Sequence, residues 1–64
     1  MTPDQINILR AMADNRWRTI TDAAIKADLT EPRALAALEA LAADDRLYRQ
    51  RVNGISIYRK AVAE

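Results

Sequence analysis

A chain of 64 residues makes one small domain, and at that length only about 60% of the unfolded surface is buried on folding, so the core must be compact. It contains no cysteine and no histidine, which excludes disulfides, the common zinc sites, thiol nucleophiles and the usual general base. The net charge of +1 conceals an asymmetry: residues 1–45 carry eight acids and five bases, whereas residues 46–60 carry five bases and no acid.

No apolar run approaches the roughly 18 residues of a membrane-spanning helix, and no charged segment leads into an apolar one at the start. A cytoplasmic location without membrane contact is therefore expected. The bases are eight Arg and two Lys, and thirteen residues are Ala. Arg suits bidentate phosphate binding; the same enrichment is equally the imprint of a GC-rich genome.

In chain order, Thr2 can cap a first helix over about residues 3–14, with Pro3 in its first turn and Gln5 completing a T-x-x-Q capping box. Ile6, Leu9, Met12 and Ala13 share a face and are the expected core stripe, with Ile8 as a half-buried flank. Asn15 suits a left-handed stop. The segment Arg16–Ile20 is too short for a helix, and a brief strand over about 17–20 is expected, with Trp17 as a core or strand anchor. Thr21 is the expected cap of a second helix over about 22–28, which turns inward Ala24, Ala27 and Leu29 and ends in a turn at Asp28.

A third helix over about 31–44 starts at Thr30 or Glu31 with Pro32 just inside. Its inward face reads Ala34, Leu35, Leu38, Leu41 and Ala42. Arg33, Ala36, Ala37, Ala40, Ala43 and Asp44 fall on the outward face. Asn53-Gly54 then marks a hairpin over about 46–60. A two-residue turn there pairs Val52 with Ile55, Gln50 with Ile57 and Tyr48 with Arg59. That face is the more apolar and is expected on the core. The reverse face holds Arg49, Arg51, Ser56, Tyr58 and Lys60, a composition suited to phosphate contact, although charges on an edge strand also serve to block aggregation.

The order of helix, short strand, two helices and hairpin is that of a winged helix-turn-helix, a mainly α domain with a small antiparallel sheet. The segment TITDAAIKADLTEPRALAALEALAADDRLYRQ resembles small bacterial and phage winged-helix regulators of the MarR-like, PapI/PefI-like and ArsR-like kinds. In it Ile20 opens the second helix region, Leu29-Thr30 makes the turn, Leu35, Leu38 and Leu41 pack the third helix, and Leu47 opens the wing. The resemblance implies a transcriptional regulator that binds double-stranded DNA through the third helix and the wing. Carried onto this chain, Arg33 is the base-contacting residue. Arg49, Arg51, Lys60 and Tyr58 form the wing surface, and Thr21 and Thr30 anchor phosphates at helix starts.

The helix positions that would face a groove are otherwise Pro32, Ala36, Ala37 and Ala40, which discriminate poorly between bases. The exposed row Ala36, Ala40 and Ala43 also suits close approach of another helix. A protein-docking module, or a co-regulator held by a homodimer partner or a larger protein, is thus the competing expectation. Glu39, Asp44 and Asp45 do not converge on a substrate, so no enzyme activity and no cofactor or metal is expected.

Overall fold

The computed structural model describes residues 1–61. Helix α1 spans Pro3–Ala11, strand β1 Arg18–Thr19, helix α2 Ile20–Ala27, helix α3 Glu31–Ala43, strand β2 Leu47–Val52 and strand β3 Ile55–Lys60. The strands form one antiparallel sheet in the order β1-β3-β2. This is a winged-helix architecture: three helices closed by a hairpin, with β1 paired to the outer side of β3.

The first two helices start where a threonine side chain accepts from a free N–H group. For α1 the expected capping box is formed, the Gln5 N–H donating to Thr2 Oγ1 at 3.2 Å and the Thr2 N–H to Gln5 Oε1 at 3.2 Å. The helix ends earlier than expected, at Ala11, and Asn15 takes a left-handed φ of 58° after an intervening turn. Its buried stripe is also rotated. Ile8, Ala11 and Met12 are the buried positions, whereas Ile6 and Ala13 are exposed and Leu9 is half-buried. Ile8, Ala11 and Met12 satisfy i, i+3, i+4 spacing as well as the expected set does. Small Ala11 fits at the packed surface.

Helix α2 begins two residues earlier than expected. Thr19, not Thr21, is its cap, with Oγ1 accepting from the Asp22 N–H at 3.1 Å. Thr21 lies inside the first turn and is exposed. The helix closes on Asp28 in the left-handed region, φ 57°, with the Leu29 N–H donating to the Ala24 carbonyl at 2.9 Å. In α3 the residues Ala34, Ala37, Leu38 and Leu41 are buried. Ala37, expected on the outward face, therefore belongs to the core.

The hairpin has the expected register, with Val52 opposite Ile55 and Tyr48 opposite Arg59, across a turn in which Asn53 and Gly54 have φ of 51° and 79°. Two successive positive φ values are what a type I′ turn requires. The expected assignment of its faces is inverted. Leu47 and Tyr58 are buried, Tyr58 at 1% exposure, while Tyr48, Val52 and Ile55 on the other face are 47%, 44% and 56% exposed. Leu47 follows α3 after the three-residue turn Asp44-Asp45-Arg46 and joins its core. Because strand side chains alternate, burying Leu47 commits Arg49 and Arg51 to the core side and every even-numbered β2 residue to the outside.

The core comprises Ile8 and Met12 of the α1 segment, Ala23 and Ala24 of α2, Ala34, Ala37, Leu38 and Leu41 of α3, and Leu47 and Tyr58 of the hairpin. Alanine at four of these ten positions lets the helices approach closely. A second tie runs outside the core. Arg18 donates from Nη1 to Asp22 Oδ2 at 2.8 Å and from Nη2 to Asp14, with its side chain only 11% exposed. It thereby clamps β1 to α2 and to the turn after α1. Burial alone would raise the Asp14 carboxyl, but the hydrogen bonds from Arg18 and from the Arg16 N–H hold it below its ordinary value.

The inverted faces give a direct test by urea denaturation. Tyr58→Ala should cost about 3–5 kcal/mol, as for other buried aromatic residues. Tyr48→Ala, on the outside, should cost less than about 1 kcal/mol. The reverse ranking would mean that the hairpin buries its other face.

Candidate nucleic-acid interface

Three elements supply the side chains that the sequence singled out: the start of α2, the outward face of α3 and the hairpin. Pro32, Arg33, Ala36, Glu39, Ala40 and Ala43 are all exposed along α3. The helix contains one base, Arg33, and two acids, Glu31 and Glu39.

Arg33 is already engaged. Its Nε donates to Asp4 Oδ2 at 3.0 Å and its Nη2 to Asp4 Oδ1 at 2.6 Å, a two-pronged pair between the first turns of α3 and α1. The hydrogen bonds from Arg33 to Asp4 raise the guanidinium pKa further above its ordinary value. The pair is solvent-accessible, with the Arg33 side chain 62% exposed, so water and salt screen it. An outward face with one occupied guanidinium, two carboxylates and a row of methyl groups has a weak vocabulary for reading bases.

The hairpin is different. Arg49 and Arg51 are exposed, and among the described residues neither forms an ion pair. They project on the side of the sheet that packs on α3. A cleft between α3 and β2 has Glu39, Ala42 and Ala43 on one wall and Leu47, Tyr48 and Arg49 on the other. Arg51 lies further along, beside Arg49 and Ser56 at the mouth of a second concavity.

The remaining expected site residues fall in three places. Tyr58 is part of the core and presents no ring to a ligand. Lys60 is half-buried at the base of the hairpin, opposite Leu47, remote in register from the turn. Thr21 and Thr30 are exposed at the starts of α2 and α3, and the Thr30 side chain makes no capping bond to its own helix, which leaves its hydroxyl available.

Two residues of note escaped the sequence reading. Trp17, expected as an anchor in the core or strand, is 40% exposed, and Arg59 places its guanidinium 5.3 Å from the Trp17 ring centre and 5.7 Å from that of Tyr48. The signal in the sequence was the parity of β3. Once Tyr58 goes inward, Arg59 goes outward between the two rings.

No protein-family model matches the chain, and no curated protein matches it by sequence. Solved structures do match its fold. The chain is similar to BpsR of Bordetella bronchiseptica, a protein whose DNA binding is regulated by 6-hydroxynicotinic acid, with a TM-score of 0.86 over 95% of this chain and 16% identity. It is similar also to a possible transcriptional regulator from Methanosarcina mazei Go1, with a TM-score of 0.83 over 97% of this chain and 17% identity. The match spans 45% of the first of those chains and 57% of the second, so this chain corresponds to about half of each. At these identities the likeness establishes the fold.

The state of Arg33 can be checked in solution. In Asp4→Asn the Arg33 Nε–H should exchange with water faster than in the parent protein, as read by NMR, while the unfolding midpoint stays close to the parent's. Equal exchange rates would mean that Asp4 does not hold the guanidinium.

Proposed function

We propose that this domain binds double-stranded DNA and serves as a transcriptional regulator, holding the duplex mainly by its phosphates through the wing. The observation that carries this reading is the placement of Arg49 and Arg51: two exposed guanidiniums without ion-pair partners among the described residues, on the α3 side of the hairpin. A cation pair there reaches a phosphate backbone when α3 lies along a groove. The Thr30 hydroxyl and the exposed first turn of α2 around Thr21 add neutral donors for phosphate oxygens. Lys60, nearer the base of the hairpin, contributes charge at longer range. The DNA binding of BpsR and the regulator description of the Methanosarcina protein support the same reading.

Sequence selectivity by the single domain is weak in this account. One bidentate guanidinium discriminates by about 1–3 kcal/mol, whereas specific sites exceed non-specific ones by about 4–10 kcal/mol. Arg33 must in addition leave Asp4 before it can contribute at all. Specific targeting then requires more contacts, from a homodimer or from a larger protein. The exposed row Ala36, Ala40 and Ala43 favours a second reading, in which α3 docks against a protein rather than a groove.

Fluorescence anisotropy with unrelated duplexes at several salt concentrations separates the two. Arg49→Ala with Arg51→Ala should weaken binding equally on all sequences, and each lost phosphate contact should lower the log–log salt slope by roughly 0.9. Unchanged affinity and slope in the double variant would favour the protein-docking reading.

A further inference from the structure

The outer face of the sheet gathers several exposed apolar side chains around one guanidinium. Trp17, Tyr48, Val52 and Ile55 are exposed there, and Ile57 lies half-buried among them. They belong to one face because Thr19 pairs with Ile57 and Tyr48 with Arg59, so the alternation brings Trp17 alongside Arg59. Gln50 and Thr19 share this face, and large apolar side chains grouped on one exposed face in this way mark a contact site.

The one charge on this face is Arg59, flanked by the rings of Trp17 and Tyr48. Its Nε is buried without a hydrogen-bond partner, and among the described residues it pairs with no carboxylate. A guanidinium held between two aromatic rings, with no acid and no acceptor for its in-plane donors among the described residues, is an incomplete arrangement.

We propose that this face docks an amphipathic helix of a partner protein, one that brings a carboxylate to Arg59 amid apolar side chains. Charge complementarity selects that occupant. The three strands contain no acid, so two copies packed symmetrically through this face would bury two Arg59 side chains without a carboxylate from either sheet. Shape agrees. Three strands at about 4.8 Å spacing set a platform about 10 Å across between the outer strands, the width that one helix covers. A single-stranded nucleic acid would need open rings to stack on. Here both rings already face the same guanidinium, and the rest of the platform is aliphatic apart from Gln50 and Thr19. The surface is separate from the Arg49 and Arg51 side of the hairpin, so a partner could be held while the wing engages a duplex.

Trp17 is the chain's sole tryptophan and therefore reports on this face. The probes are synthetic amphipathic helical peptides lacking Trp, with a leucine face and one central Glu, compared with otherwise identical peptides carrying Gln or Lys there. The Glu peptide should shift Trp17 emission to the blue and bind about tenfold tighter than the Gln peptide, the scale of a close desolvated charge pair. The Lys peptide should bind more weakly still. Arg59→Gln should erase the difference between the Glu and Gln peptides; because the comparison also rests on peptide changes, it holds even if that variant folds poorly. Equal binding of the three peptides, or binding of none, would overturn the proposal. So would an emission change produced by oligothymidylate instead of the peptides, or by concentrating the protein alone.

Discussion

Burial of Leu47 and Tyr58 on one side of the hairpin is the constraint on which the rest of the arrangement depends. A strand has only two faces, and a shift of parity moves every side chain across the sheet. Leu47 leaves α3 into the core, and Tyr58 closes that core from the neighbouring strand. From then on Arg49 and Arg51 must stand on the α3 side, and Tyr48, Val52, Ile55, Ile57 and Arg59 must stand outside. The domain thus acquires two surfaces of opposite character from twelve strand residues: a basic one beside α3 and an apolar one behind it.

Electrostatics divides along the same line. The helical part carries the acids, and two of its five bases are held by them, while Arg10, Arg16 and Lys26 form no ion pair among the described residues. Arg18 is clamped by Asp14 and Asp22, and Arg33 by Asp4. The described hairpin has no acid, and its exposed guanidiniums are uncommitted. A polyanion approaching this molecule is drawn to the wing and meets a third helix bearing Glu31 and Glu39. In the proposed reading grip and base recognition are separated: the wing would supply attraction, and α3 would supply shape and a row of methyl groups with little base discrimination. That separation is why a second domain or a partner is needed for specificity in this account.

Much of the fold was legible in the sequence. The Thr2 capping box, the turn at Asp28, the α3 stripe of Ala34, Leu38 and Leu41, and the hairpin register about Asn53-Gly54 all rest on local chemistry that operates before packing. What was not legible depended on tertiary choices. The α1 stripe could be centred on Ile6 or on Ile8, two apolar residues on either side of a helix of nine residues, and only packing against α2 and α3 decides. Thr19 and Thr21 are both competent caps, and Thr19 prevails with Asp22 placed three residues after it. The hairpin's apolar face looked like its core face because it has more apolar residues; one leucine leaving α3 and one tyrosine outweigh them through position. Within the candidate site, the basic wing and the poverty of α3 were visible in composition. The Arg33–Asp4 pair, spanning 29 residues of chain, and the Trp17–Arg59–Tyr48 stack were not, since no local spacing encodes them.

The central claim is that the two faces of one hairpin have different partners, DNA on the Arg49 and Arg51 side and not on the outer side. An NMR titration of the labelled protein with a short duplex at low salt tests it most directly. The account predicts shifts concentrated at Arg49, Arg51, Gly54 and the first turns of α2 and α3, with the Trp17 indole and the Ile57 methyl signals unmoved. Shifts concentrated at Trp17, Ile57 and Arg59, with Arg49 and Arg51 unaffected, would contradict it.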